Sequence, residues 1–203
     1  HIKRITKVVI NEDLSATVNI NSFKRGESAV VMRSLYKGIS YDQRIKKLTE
    51  ILSTDLSNYT VNTFNIDNLD MLTTEIPYDF NLTLNGFMNK TGNYGMFKIP
   101  WSDALYQNTA LSYNKREYPY IIYSLPNSLE NIEIELPKGY EPVELPENIS
   151  LSCNNASCSI TYEIKNGIIK ANREFRLLNR SVTSENYASY KEFYNKVMET
   201  ENV

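Results

Sequence analysis

Histidine is almost missing from this 203-residue chain: there is one, at position 1, and the only cysteines are Cys153 and Cys158. Each scarcity removes chemistry. A Ser-His-Asp or Cys-His system needs an imidazole held by a third group, and a zinc site needs about four N, S or O ligands, usually with His or Cys among them. His1 stands at a terminus with nothing in the sequence to fix it. Basic charge is not in excess either, with 22 Lys and Arg against 24 Asp and Glu and a pI near 5.6. Without a basic field to neutralise phosphates, nucleic acid is excluded as a partner class. No apolar run approaches the ~20 residues of a membrane helix, and HIKRITKVVI lacks the apolar core of a secretory signal. There is no internal repeat and no low-complexity tract. The chain starts without Met and enters strand-like sequence at once, as a mature form or an excised piece of a longer protein would.

What is present is the composition of a soluble globular protein, 41% hydrophobic, 23% charged and 11% aromatic, long enough for one β-rich domain or two of about 100 residues. The opening alternates with period two. Ile5, Lys7 and Val9 share one face, and after the turn Asn11-Glu12-Asp13, Ala16, Val18 and Ile20 oppose Thr17, Asn19 and Asn21, which predicts a hairpin with one buried face. Glu27 to Tyr36 carries acid at its front, Arg33 and Lys37 at its back and Gly38 beyond. These end charges favour a short helix, although Val30-Val31 also suits a strand. Ser40 followed by Gln43 makes a capping box ahead of Ile45, Leu48, Ile51 and Leu52, which predicts a helix over 41–54. Strands are expected at Tyr59 to Ile66, Ile76 to Leu84 and Tyr94 to Ile99.

The pattern fades between about 100 and 118, so two β-rich halves are expected, 1–115 and 116–203, separate or joined in one continuous sandwich. Five of the seven prolines fall between 119 and 146 and mark strand ends, because proline cannot donate to a ladder. They bracket strands at Tyr120 to Leu125 and Leu129 to Leu136. Ile149 to Ser152, Ser159 to Ile164 and Ile168 to Leu178 follow, with Asn166-Gly167 as a two-residue hairpin turn. Thr183 or Ser184 is placed to cap a helix over 184–199 bearing Tyr187, Tyr190, Phe193, Tyr194 and Val197. The expected fold is mainly β, an antiparallel sandwich-like architecture with two or three peripheral helices.

Few side chains invite chemistry. Cys153 and Cys158 flank the loop NNAS, a spacing that lets them face one another across a hairpin at the roughly 4.4–6.8 Å a disulfide needs; such a bond would add only about 2 kcal/mol, and two free thiols are the alternative. Asn131, Glu133 and Glu135 share a strand face, which reads as a solvated sheet surface. Asp67 and Asp70 lack the glycine and spacing of a calcium loop. Of the fifteen tyrosines, Tyr106, Tyr113, Tyr118, Tyr120 and Tyr123 are the densest group. Sugars stack on such rings, but tyrosine is also an ordinary strand residue. Trp101, Tyr118 and Tyr120 are the candidate ligand-facing aromatics, with edge packing the competing role for Trp101. The many asparagines, including six Asn-x-Ser/Thr sequons, read as compositional bias. Arg173 is anomalous: if Ile169, Ala171, Phe175 and Leu177 face the core, so does its guanidinium, which then needs a carboxylate, a bulge or an edge position.

The runs REYP at 116–119, IEIELPKGYEPVELPENISL at 132–151, ITYEIKNGIIKANREF at 160–175 and SENYASYKEFYNKV at 184–197 resemble the C-terminal domain of unknown function that follows a transglutaminase-like core in multidomain bacterial proteins. The first half, with FKRGESAVVMR and NYGMFKIP, is similar to the segment between that core and that domain. The resemblance implies an extracytoplasmic, periplasmic or envelope-associated accessory module. Its expected partners are an upstream transglutaminase-like core, another envelope protein or a glycan. The family's Cys, His and Asp would lie upstream of residue 1, so none is carried over, and no catalytic residue, cofactor or metal is assigned within the chain. A glycan-binding module and a carboxylate-dependent hydrolase are the alternatives, with a structural spacer as a third.

Overall fold

Side-chain burial alternates along nearly every strand, so the chain builds one large sheet with a buried face and an open face. The structure is a computed structural model and describes residues 1–53, 56–72, 74–123 and 125–202. Its strands are β1 (Ile2–Ile10), β2 (Ala16–Lys24), β3 (Tyr59–Ile66), β4 (Ile76–Leu84), β5 (Asn89–Thr91), β6 (Tyr94–Met96), β7 (Tyr120–Ile121), β8 (Ser128–Glu135), β9 (Ile149–Ser152), β10 (Ala156–Lys165), β11 (Ile168–Leu177) and β12 (Ser181–Val182). Its helices are α1 (Glu27–Tyr36), α2 (Tyr41–Leu52) and α3 (Tyr187–Glu201). The fold is therefore mainly β with peripheral helices, as the periodicity predicts. The last residue of the expected 41–54 helix, and Ser124 of the expected Tyr120 to Leu125 strand, lie outside the described residues.

Eight strands share one sheet in the order β3-β4-β2-β1-β8-β11-β10-β9. Six of the seven pairs are antiparallel, and β1 with β8 is parallel. The sheet is thus mainly antiparallel, as expected, with one parallel pair that makes it mixed. A parallel neighbour requires a long crossover rather than a hairpin, and the register Ile2↔Ser128 shows that most of the chain intervenes. Strands from both halves of the sequence thus bond to one another.

The buried face of β1 is the reverse of the expected one. Ile2, Arg4, Thr6, Val8 and Ile10 point inward, while Ile5 and Val9 are exposed. HIKRITKVVI is apolar in both phases, and what decides is that the phase with more aliphatic volume also carries an arginine for which the interior holds partners. The hairpin turn is pinned by Asp13, which accepts from the Ser15 amide (3.0 Å) and hydroxyl (2.6 Å).

The layer over the buried face consists of α1, α2, the connection around 97–116, and α3. Tyr36 of α1 meets Phe64 edge-on at 5.1 Å, and Phe193 of α3 meets Phe175 at 6.2 Å; each fully buried large side chain contributes about 1.5–3 kcal/mol. Ser40 forms the expected capping box with Gln43. Arg33 fastens α1 to the loop before β4 by donating to the carbonyls of Met71 and Thr74. α3 starts at Tyr187, later than expected, because Asn186 N–H bonds back to the Thr183 carbonyl (3.2 Å) and 183–186 forms a turn ahead of the helix. The expected 94–99 strand shortens to β6, and the strand after Pro119 shortens to β7.

Candidate functional site

Three charges in the core phase of three strands meet beneath the 97–116 connection. Arg4 on β1, Glu130 on β8 and Arg173 on β11 are joined by Glu201 from the last turn of α3, and the four are only 4, 1, 3 and 2% exposed. Arg173 donates to Glu130 (2.9 Å), to Glu201 and to the Ser102 carbonyl. Its guanidinium lies 5.2 Å over the Trp101 ring, whose other neighbour is Tyr162 at 6.3 Å. Arg4 holds Asp103 at 2.8 Å and Glu130 at 3.8 Å. Backbone amides complete the carboxylates, Ser102 N–H to Glu130 (3.2 Å) and Leu105 N–H to Glu201 (2.5 Å).

Burial pushes the Glu130 carboxyl upward, against the opposing pull of Arg4 and Arg173. Crowding pushes Asp103 upward too, but Arg4 and Lys24 outweigh it and hold that carboxyl below the usual range. Every ion in this network has an oppositely charged partner, so its chemistry is that of a clamp joining β1, β8, β11, α3 and the connection. Arg173 faces inward as the alternation predicts. It pairs on a strand flanked by β8 and β10, rather than acting as an edge device. Trp101, a candidate ligand-facing aromatic, is likewise buried in the clamp, with Arg173 and Tyr162 against its ring.

A second constellation lies on the surface beside α3. The Arg116 guanidinium is surrounded by the rings of Tyr120 (5.0 Å), Tyr187 (5.3 Å) and Tyr113 (5.5 Å) and donates to the Ala110 carbonyl. Tyr120 packs on Tyr190 at 6.0 Å, and its hydroxyl accepts from Asn108 (3.2 Å). The connection is strapped to α3 by Tyr187 Oη to Tyr113 O (3.0 Å), Tyr194 Oη to Tyr106 O (2.9 Å) and Lys191 Nζ to Tyr113 O (3.0 Å). These contacts fix an open groove of about 420 Å³ lined by Ala110, Arg116, Pro119, Tyr120, Ile121 and Tyr123. Tyr118 and Tyr123 stand at 78% exposure, with Tyr106 and Tyr113 also exposed. Of the candidate aromatics, Tyr120 lines the groove and Tyr118 is exposed beside Pro119 of its wall.

Cys153 and Cys158 are free thiols. The register sets Leu151 opposite Cys158, and Cys153 N–H bonds to Ala156, so the two cysteines are diagonal neighbours. Such positions are about 7–8 Å apart, beyond disulfide reach. Glu133 bonds Lys170 at 2.7 Å on the open face. Among the described residues no group of three or more His, Cys, Asp or Glu is placed to hold a metal ion, and no helix is long and apolar enough to cross a membrane.

Residues 93–203 match the family described as Domain of Unknown Function with solved-structure structure (DUF3858). The chain belongs to the DUF3858 family. The DUF3858 segment covers just over half of the chain and starts upstream of the boundary expected at 116. It holds the whole tyrosine groove and every member of the ion clamp except Arg4. No curated protein and no solved structure matches the chain.

Sequence reasoning missed Arg4, Glu130 and Glu201. The signal for the first two is visible in retrospect, since each lies in phase with the buried Val8 and Ile132 of its own strand. Glu201 carries the helical counterpart, four residues beyond the buried Val197 on the same stripe of α3, but it lies past the expected end of that helix at 199, and only the packing of α3 brings it to Arg173.

Proposed function

We propose that this chain is a non-catalytic accessory module of an extracytoplasmic, envelope-associated transglutaminase-like protein, and that it docks the upstream core of that protein through the tyrosine groove. The observation that carries this reading is the exposed tyrosine rim around Arg116. Tyrosine and arginine dominate the energetically decisive positions of protein interfaces, and here the groove floor is already locked by ring, guanidinium and backbone contacts. A rigid floor reduces the ordering cost of binding. The motifs REYP, LPKGY and SENYASYKEFYNKV supply the transglutaminase-like context by resemblance.

The test is to mix the purified chain with a separately purified transglutaminase-like core from the same parent protein and measure association by calorimetry. Binding weakened at least tenfold by Tyr118→Ala with Tyr123→Ala is expected. No association, or association indifferent to both substitutions, overturns the docking. Turnover of peptide or amide substrates by the isolated chain, abolished by a point substitution, overturns the non-catalytic assignment.

A further inference from the structure

We infer that the open face of β2, β4 and β3 is a binding surface for a neutral glycan. Strand pairing assembles there residues that lie far apart in sequence: Asn19 stands beside Asn81 and Asn21 beside Asp79, with Thr63 and Asn65 continuing the two rows onto β3. Asparagine is depleted in strands, yet this face collects Asn19, Asn21, Asn62, Asn65 and Asn81. Departures from local preference concentrate where function requires them. A bulge adds to the pattern. The register steps from Val61 opposite Leu82 to Thr63 opposite Asn81, which turns Asn62 and Thr63 together onto the open side. Bulges recur where a side chain must be re-aimed at a site.

The amides hold one another in place. Asn62 Nδ2 donates to Asn81 Oδ1 (2.5 Å) and Thr83 Oγ1 (3.1 Å), Asn81 Nδ2 donates to Asn19 Oδ1 (2.7 Å), and Asn65 Nδ2 donates to Asp79 Oδ2 (2.9 Å). An amide has two donors and a two-fold acceptor, so capacity is left over in a fixed arrangement. Among the described residues, the Asn19 donors, one Asn81 donor, the Asn62 and Asn65 acceptors, Asp79 Oδ1 and the entire Asn21 amide remain unused. Of these residues Asn19, Asn21, Asp79 and Asn81 line, together with Thr63, a shallow depression of about 120 Å³.

Vicinal hydroxyls, each donor and acceptor at once, satisfy such an interleaved set. A phosphate or sulfate suits it less well, because the patch carries the Asp79 charge and Lys7, which stands beside Asn19, also faces Glu133; Lys3, in the same phase of β1, is the other cation next to the patch. An apolar partner would strip water from amides without replacing their bonds.

The experiment is calorimetry of the whole chain against a panel of soluble neutral oligosaccharides (gluco-, manno-, xylo- and chito-oligomers) and one polyuronate. Binding of at least one neutral oligomer is expected, with the polyuronate at least tenfold weaker. Asn21→Ala should weaken binding at least tenfold at an unchanged melting temperature, because the Asn21 side chain makes no hydrogen bond among the described residues. Tyr118→Ala with Tyr123→Ala should leave it unchanged. No binding across the panel, preference for the polyuronate, or indifference to Asn21→Ala overturns the inference. Loss through the tyrosine pair alone assigns the glycan to the groove and overturns it too. Since the two surfaces share no residue, failure here leaves the docking of the upstream core to be judged by its own measurement.

Discussion

Replacing Arg173 by Met separates the ion clamp from simple hydrophobic packing. The substitution keeps the approximate volume and removes the charge. Among the described residues Glu201 then retains only the Leu105 amide, while Glu130 still has Ser102 N–H and Arg4, the latter at 3.8 Å. Breaking a buried pair by deleting one partner costs about 3–5 kcal/mol. Because Glu130 stays paired, the expected loss is at the lower end, about 3 kcal/mol. That is a large share of the roughly 5–15 kcal/mol that holds a typical domain together. Urea unfolding followed by far-UV circular dichroism reads it directly. Fluorescence of Trp101, the single tryptophan, provides a second probe at the clamp itself. Adding Glu201→Leu to Arg173→Met removes the orphaned carboxylate and should recover at least ~1 kcal/mol, since apolar replacement of buried ions is often neutral or better. Lys170→Ala, which breaks the partly exposed pair with Glu133 on the other face, should change stability by under about 1 kcal/mol. A loss below ~1 kcal/mol for Arg173→Met, or no recovery in the double variant, refutes the clamp.

Three further outcomes follow from local physics. Burial raises the phenols of Tyr36 and Tyr194 to about 12 and that of Tyr190 upward as well. The unfolded chain therefore loses these protons first, and stability, intact below about pH 10, should fall as pH rises from there toward 12; a flat stability profile, read with tyrosinate absorbance, contradicts this. Burial and the nearby Glu201 charge push the Cys158 thiol to about 12, so iodoacetamide at pH 8 should label Cys153 first and Cys158 only on unfolding, which peptide mass mapping will decide. Gly167 turns β10 into β11 at φ +76° behind Asn166 at +54°, so Gly167→Ala should cost about 1–2 kcal/mol of unfolding free energy, and an unchanged urea midpoint would rule out that strain.

Strand positions were legible wherever one face is buried, because a period of two survives without knowledge of the partner: β3, β4 and β9 lie where the alternation puts them. The parallel contact of β1 with β8 left no local trace. The inward face of β1 was hidden for a related reason, since Arg4 becomes acceptable inside only after Glu130 and Asp103 arrive from distant segments. The groove was partly visible because Arg116, Tyr118, Tyr120 and Tyr123 are sequence neighbours. The asparagine array was not, because each amide is unexceptional in its own strand and only the register of β2, β4 and β3 turns what looked like compositional bias into a surface.

The placement of β1 has a consequence for how the chain is made. β1 and β2 close as a hairpin as soon as they leave the ribosome, and β4 and β3 can add to β2 early. The other flank of β1 must wait until β8 is synthesised more than a hundred residues later. During that interval a nine-residue strand edge stands open, with Arg4 facing a core whose carboxylates do not yet exist. Closing the sheet is thus the late, non-local event of folding. Slowed synthesis between β2 and β8 would lengthen the period in which nascent chains can pair with one another instead.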